Sequence, residues 1–259
     1  MISPLAYVDK EARIGANVTI HPFAYIDKNV EIGDNCTIMP YASILSGTRM
    51  GTDNIIYQGA IIGATPQDFK FKGEDTLLKI GNHNTIREKV ILNRGTNTTD
   101  CTIIGDGNFL LEGVHLAHDT HLGSHCVLGN GAKTAGNCII DDKAILGSEV
   151  IVKHGCRIGS WALLRDGCRA NKDVPPYIVA AHNPISYYGI NALILAKEGH
   201  LTENVIDNIA KCYRQIYQCG TSLENALRRI KDIISLSPEI TYLVDFIEQS
   251  KKGIIGTTM

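Results

Sequence analysis

The sequence predicts a mainly β protein: a parallel β-helix of hexapeptide repeats followed by a C-terminal α-helical domain. Three observations carry this. From Tyr7 to Val174 the chain divides into 28 hexads, and 23 of them have Val, Ile, Leu or Met in second place. Chance does not sustain such a period, and a six-residue repeat is the mark of a β-helix. Only 6% of residues are aromatic although 44% are hydrophobic, as suits a core of small repeated aliphatics. After about residue 187 the hydrophobic spacing changes from six to the helical i, i+3, i+4 pattern.

The first hexads, YVDKEA RIGANV TIHPFA YIDKNV EIGDNC TIMPYA SILSGT RMGTDN IIYQGA, fix the unit. Three hexads make an 18-residue coil of three short strands and three corners, and successive coils hydrogen-bond at about 4.8 Å. Second-place aliphatics point inward and stack as ladders. The sixth place also faces the narrow interior and is mostly small. Cys36, Cys126, Cys138, Cys156 and Cys168 all fall there. Cys138 and Cys156 lie one coil apart and read as packing neighbours rather than a disulfide. No coil buries its own apolar face, so stability comes from stacking. About nine coils give a prism roughly 45 Å long. Known hexapeptide prisms wind to the left, so a left-handed parallel β-helix is expected.

GATPQDFKFKGEDTLL, residues 63–78, breaks the pattern: Asp68 and Glu74 occupy core places, and neither is buried without a partner. This predicts a loop thrown out of a corner, of the kind that carries function. NTTDCT, residues 97–102, is a weaker break that keeps the phase. The repeat resumes at Ile103 and ends at DVPPYIVAAHNPISYYG, where two prolines remove strand donors. INALILAKEG then reads as a short helix closed by Gly199. Thr202, Ser222 and Ser237 each cap a further helix, the last with Pro238 in first position. Val205, Ile209, Tyr213 and Ile216 form an apolar stripe at helical spacing. The division expected is 1–186 for the β-helix and 187–259 for the helical domain.

Composition excludes several functions. A net charge of −2 with no arginine-rich stripe gives no case for nucleic acid. No apolar run approaches the ~18 residues of a membrane span. The start MISPLAYVDKEARIG lacks a signal peptide's features. The eight cysteines include no CxxC pair or zinc-ribbon spacing. A cytoplasmic protein with reduced thiols is expected, with neither metal nor cofactor.

HLAHDTHLGSH holds four of the nine histidines. Register orders them. His118 aligns with Gly136 and, two coils on, with His154. At the coil spacing His118 and His154 stand roughly 10 Å apart, too far to share one zinc at about 2 Å. His118 is a corner residue followed by Asp119, and a carboxylate beside an imidazole fixes its tautomer. Gly136 offers a bare N–H one coil away for a developing oxyanion. His118 is therefore either an ordinary corner residue or the base of an acyl transfer to a hydroxyl. His83, His115, His121 and His125 read as surface or interface residues.

The segments EGVHLAHDTHLGSHCVLGNGAKTAGN, KDVPPYIVAAHNP and ATPQDFKFKGEDTLLKIGNHNTIREKVILNRGT resemble the bacterial UDP-N-acetylglucosamine O-acyltransferases, which start lipid A synthesis. The likeness covers nearly the whole chain. It implies a homotrimer that takes a 3-hydroxyacyl group from acyl carrier protein and passes it to the glucosamine 3-hydroxyl. It also implies His118 as general base, Asp119 as its orienting acid and Gly136 as oxyanion donor. Gln67, Asp68, Lys70, His115, His154 and Asn191 match substrate contacts. Asn137 stands where many members have a sugar-binding histidine, and Asn93 likewise replaces a histidine. LAKEG keeps one phosphate-gripping cation, Lys197, and reverses the other at Glu198. Asp166 occupies the position that sets acyl length in relatives. Two rivals stand beside this: a γ-type carbonic anhydrase with zinc at a subunit interface, and a non-catalytic β-helix scaffold.

Overall fold

A computed structural model of the chain describes residues 1–99 and 101–257. Hexads become strands of two to four residues that stack in parallel into three sheets. Among the described residues, face I holds nine strands, from Tyr7–Val8 to Arg169–Ala170. Face II holds eight, from Arg13–Ile14 to Arg157–Ile158. Face III holds ten, from Thr19–Ile20 to Ser186–Ile190. The chain visits I, II and III in turn, winding a left-handed β-helix. Register follows the 18-residue coil: Tyr7 pairs with Tyr25, and His115 with Lys133. Outward residues stack the same way, with the Tyr7 and Tyr25 rings 5.0 Å apart.

The second-place ladder is the core: Ile20, Ile26, Ile38, Ile44, Leu116, Leu128, Leu146 and Leu164 are all buried. The five sixth-place cysteines are buried and unpaired. Burial pushes the Cys126 and Cys138 thiols up to about 12. One column departs from the small aliphatic expectation. Asn54, Asn84 and Asn108 are buried on successive coils where small residues prevail elsewhere. Asn54 Oδ1 accepts from Asn84 N–H at 2.9 Å, Asn84 Oδ1 from Asn108 N–H at 2.9 Å, and Asn108 Oδ1 from Cys126 N–H at 2.8 Å. Each amide is satisfied along the column, which is what makes its burial tolerable.

Fifth-place residues turn the corners with positive φ, among them Asn17 (56°), Asp119 (56°) and Asn137 (59°). Asn and Asp tolerate this region better than most side chains.

Both breaks leave the same corner, the edge between faces I and II. Ile61 pairs with Ile91, 30 residues on instead of 18. The chain leaves face I after Ala64 and rejoins face II at Leu78. The NTTDCT break is larger than the phase suggests: Ile91 pairs with His115, 24 residues on. A whole hexad is thrown out there, and an insertion of one period is invisible to a test for that period. Its Asp100 lies outside the described residues. The prolines at 175 and 176 do not end every face. Ile178–Ala181 still pairs with Leu163–Leu164 on face III, and Ser186–Ile190 adds an antiparallel strand.

Among the described residues four helices follow: α1 (Ala192–Lys197), α2 (Glu203–Tyr217), α3 (Leu223–Ile233) and α4 (Pro238–Glu248). Thr202, Ser222 and Ser237 accept from Val205, Asn225 and Ile240 N–H, as caps do. Ile209 and Tyr213 of the stripe are buried, with Val205 and Ile216 packed beside them. Helix α4 docks on face II. Tyr242 Oη donates to Asp141 Oδ2 at 2.6 Å and accepts from Ser160 N–H at 3.0 Å, while Arg157 binds the same carboxylate oxygen at 2.9 Å.

Candidate active site

The I–II edge gathers His118, Asp119, Gly136, Asn137 and His154. His118 sits at the corner between strands His115–Leu116 and His121–Leu122. It is only 9% exposed, more enclosed than a bare corner. Its Nδ1 lies 2.8 Å from Asp119 Oδ2 and its Nε2 4.0 Å from Asp68 Oδ2 in the first loop. Asp119 is held in turn. Its Oδ1 accepts from Thr96 N–H at 2.9 Å, and its Oδ2 from the Thr96 hydroxyl at 2.7 Å. Its own N–H donates to Thr102 Oγ1 at 2.9 Å. Burial pushes the Asp119 carboxyl up, but the bonds from Thr96 and His118 outweigh it and hold it below the ordinary carboxylate value. An ionised carboxylate only accepts, so Nδ1 carries the proton and Nε2 presents its lone pair to the cleft.

Gly136 is the residue beneath this imidazole. A Cβ built on it would stand 2.3 Å from His118 Cε1, so only glycine lets the ring lie there. Ala135 and Asn137 donate their N–H groups to Val152 O and His118 O, whereas the Gly136 N–H has no acceptor among the described residues. His154 follows on the same edge two coils from His118, and Asn137 beside Gly136. His115 lies on face I between Ile91 and Lys133. Burial, then the Lys133 ammonium and His118, hold its imidazole below the ordinary value.

The first loop is anchored at its root. Asn93 is buried and donates from Nδ2 to Thr65 O at 2.7 Å. Arg94 N–H donates to Ala64 O, and the Leu77 carbonyl accepts from both Gly95 and Thr102 N–H. The two excursions thus share one neck. Gln67 and Lys70 are exposed on the loop, and Asp68 Oδ1 accepts from Lys70 N–H at 2.8 Å.

Other expected residues stand on other edges. Asn191, at the start of α1, donates from Nδ2 to Trp161 O on the II–III edge at 3.1 Å. Lys197 ends that helix. Asp166 lies on the III–I edge, where its carboxylate accepts from Ser148 N–H at 2.8 Å. His83 and His125 belong to the II–III edge and His121 to face II, and no group of three metal-ligating side chains comes together among the described residues.

Residues 173–255 match the family model "UDP N-acetylglucosamine O-acyltransferase, domain 2", and residues 11–40, 29–64 and 101–136 match the bacterial transferase hexapeptide repeat. An acyl-[acyl-carrier-protein]–UDP-N-acetylglucosamine O-acyltransferase from Halorhodospira halophila is 44% identical over 98% of both chains. The chain belongs to the UDP-N-acetylglucosamine O-acyltransferase family. The crystal structure of a family member from Bacteroides fragilis is 51% identical over 98% of this chain and 100% of that one, with a TM-score of 0.97. That from Acinetobacter baumannii is 35% identical over 98% and 99%, with a TM-score of 0.94. The fold expected from the hexads is therefore that of the family, and the chain is an acyltransferase of the hexapeptide type. No helix among the described residues is long and apolar enough to cross a membrane.

Sequence reasoning missed Thr96 and Thr102. Thr96 lies in the second excursion and Thr102 opens the strand that follows it, and nothing in the period marks them. It also missed Lys252, whose Cε lies 3.2 Å from the point where a Gly155 side chain would begin, on the I–II edge. A C-terminal tail returning to the prism leaves no periodic signal.

Proposed function

We propose that this chain transfers a 3-hydroxyacyl group from acyl carrier protein to the 3-hydroxyl of UDP-N-acetylglucosamine, in lipid A synthesis. The observation that carries the reading is the constellation on the loop-flanked edge: His118 oriented by Asp119 above Gly136. His118 Nε2 takes the proton of the sugar hydroxyl as its oxygen attacks the thioester carbonyl. The Gly136 N–H stabilises the tetrahedral oxyanion. Collapse breaks the carbon–sulfur bond, and the departing thiolate takes the proton from the imidazolium. Asp68, facing Nε2 across 4.0 Å, accepts a neighbouring N–H or O–H of the sugar.

Gln67, Lys70, His115, Asn137 and His154 complete the sugar and nucleotide side of this edge. Asn191, Lys197 and Asp166 join it only if a second copy presents its own edges across the cleft, so the reading includes a homotrimer with shared sites. Asp166 would then bear on acyl length.

The test is direct. The purified protein is incubated with UDP-N-acetylglucosamine and a series of 3-hydroxyacyl carrier proteins of rising chain length, and the nucleotide products are weighed by mass spectrometry. A gain of one hydroxyacyl group is expected from wild type. His118→Ala is expected to lose about 10²–10⁴-fold in turnover. No transfer by wild type with any donor, or full turnover by the variant, overturns the reading.

A further inference from the structure

A carboxylate beside an imidazole is usually enough to explain why the ring points one way, yet here the Asp119 carboxylate is itself gripped from outside the coil. Both of its oxygens accept from one residue, Thr96, at 2.9 Å from the backbone N–H and 2.7 Å from the hydroxyl. Thr96 lies in the second excursion, between strands Ile91–Asn93 and Thr102–Ile104, and Thr102, the first residue of the returning strand, accepts the Asp119 N–H. The excursion and the strand that follows it therefore close on a single residue, Asp119. The excursion's neck is fixed to the protein, since the Leu77 carbonyl receives both Gly95 and Thr102 N–H.

Oxygen Oδ2 is shared. It accepts the Thr96 hydroxyl at 2.7 Å and faces His118 Nδ1 at 2.8 Å. A donor on a carboxylate oxygen withdraws charge from the other bond made to it and fixes its direction. Among the described residues, few titratable groups meet this unit. Asp68 faces Nε2 from the first loop at 4.0 Å, and His115 approaches from face I.

We propose that Thr96 is a positioning residue for the reaction, the outer member of a Thr96–Asp119–His118 relay that the second excursion exists to close. It touches no substrate. It sets the direction and strength of the Asp119–His118 bond, and so the basicity of Nε2. This rests on the acyl-transfer reading above.

The experiment compares Thr96→Val, which keeps the shape and removes the hydroxyl, with Thr96→Ser, which keeps the hydroxyl. For Thr96→Val, kcat is expected to fall roughly 10- to 100-fold, the range for losing a hydrogen bond to a charged group. The KM for the nucleotide sugar should not change. Without the hydroxyl, Asp119 gives more charge to the imidazolium. The acid limb of kcat/KM, where His118 must lose its proton to act, is expected to move to higher pH. Thr96→Ser should restore both quantities to near wild type. NMR titration of the His118 imidazole in the substrate-free protein follows the contact by itself. It should move to higher pH in Thr96→Val and not in Thr96→Ser. Wild-type kcat and an unmoved titration in Thr96→Val overturn the proposal, as does a serine variant as impaired as the valine one. If wild type transfers no acyl group, the function reading fails instead, and the imidazole titration still decides whether Thr96 governs His118.

Discussion

Gly136 is the residue where the chemistry and the repeat meet most closely. Its φ is not in the left-handed region, so alanine fits its backbone, but the added Cβ would stand 2.3 Å from His118 Cε1 and 2.7 Å from Nε2. The imidazole must swing away from its bond to Asp119. Gly136→Ala is therefore expected to cost about 10²-fold in kcat, the scale for a reacting group displaced by an ångström. Its melting temperature should stay close to wild type, which calorimetry checks. Asp119 carries a second prediction. Its carboxyl lies below the ordinary value in the folded chain, through Thr96 and His118 against the opposing push of burial. Such a group adds stability that is fully present above the unfolded value of about 3.9 and is lost as pH falls through the native value. Asp119→Asn should flatten the acid side of the stability curve, read from denaturant midpoints taken down through that window. At this scale the sequence was most informative where a residue obeys the period. His118, Gly136 and His154 align by counting. Thr96 does not, because its partner lies across an insertion whose length equals the repeat.

Among the elements, the second excursion separates fold from function. Removing residues 97–102 joins Thr96 to Ile103 and keeps the hexad phase, since Ile103 is a first-place residue paired with His121. The coils on either side should still stack. The shortened chain is expected to keep its β-sheet circular dichroism and melt cooperatively, while losing most of its turnover as Thr96 is drawn into the place of Thr102 and leaves the Asp119 carboxylate. The first loop differs: Asp68 and Glu74 announced it because a charge in a core place has no remedy but exposure. The buried asparagine column was legible only as an exception to small sixth-place residues, since its hydrogen bonds run between coils rather than along the chain. The helices were the clearest elements, because caps and an apolar stripe are local. Their docking was not legible, because Tyr242 and Asp141 are 101 residues apart. Tyr242→Phe removes one of the donors on that carboxylate and leaves Arg157. A loss of roughly 1–2 kcal/mol is expected, as for a hydrogen bond to a charged group with a remaining partner. Chemical denaturation measures it.

For the whole molecule the decisive fact is that a three-sided prism divides its residues among three edges. His118, Asp119, Gly136 and the loop residue Asp68 share the I–II edge. Asn191 binds Trp161 on the II–III edge, and Asp166 binds Ser148 on the III–I edge. One chain cannot bend its edges together, since the interior ladders between them are buried along the length of the prism. If helix α1 serves the same substrate as His118, it does so from a neighbouring copy. Head-to-tail contacts that close into a ring give each chain one of each partner surface. His118→Ala lacks the base but keeps α1. Lys197→Glu keeps the base but, on the proposed reading, sets an acid where the nucleotide's phosphates would lie. Each variant alone should transfer poorly at low nucleotide-sugar concentration. Co-expressed in equal amounts, they should rebuild roughly a quarter of the sites, because an intact site needs the right chain on both sides of one interface. Assay of the purified mixed assemblies, set against separately purified variants combined after assembly, reads the difference. A mixed assembly no more active than the sum of its parts would place base and nucleotide grip on one chain and overturn the shared-site reading.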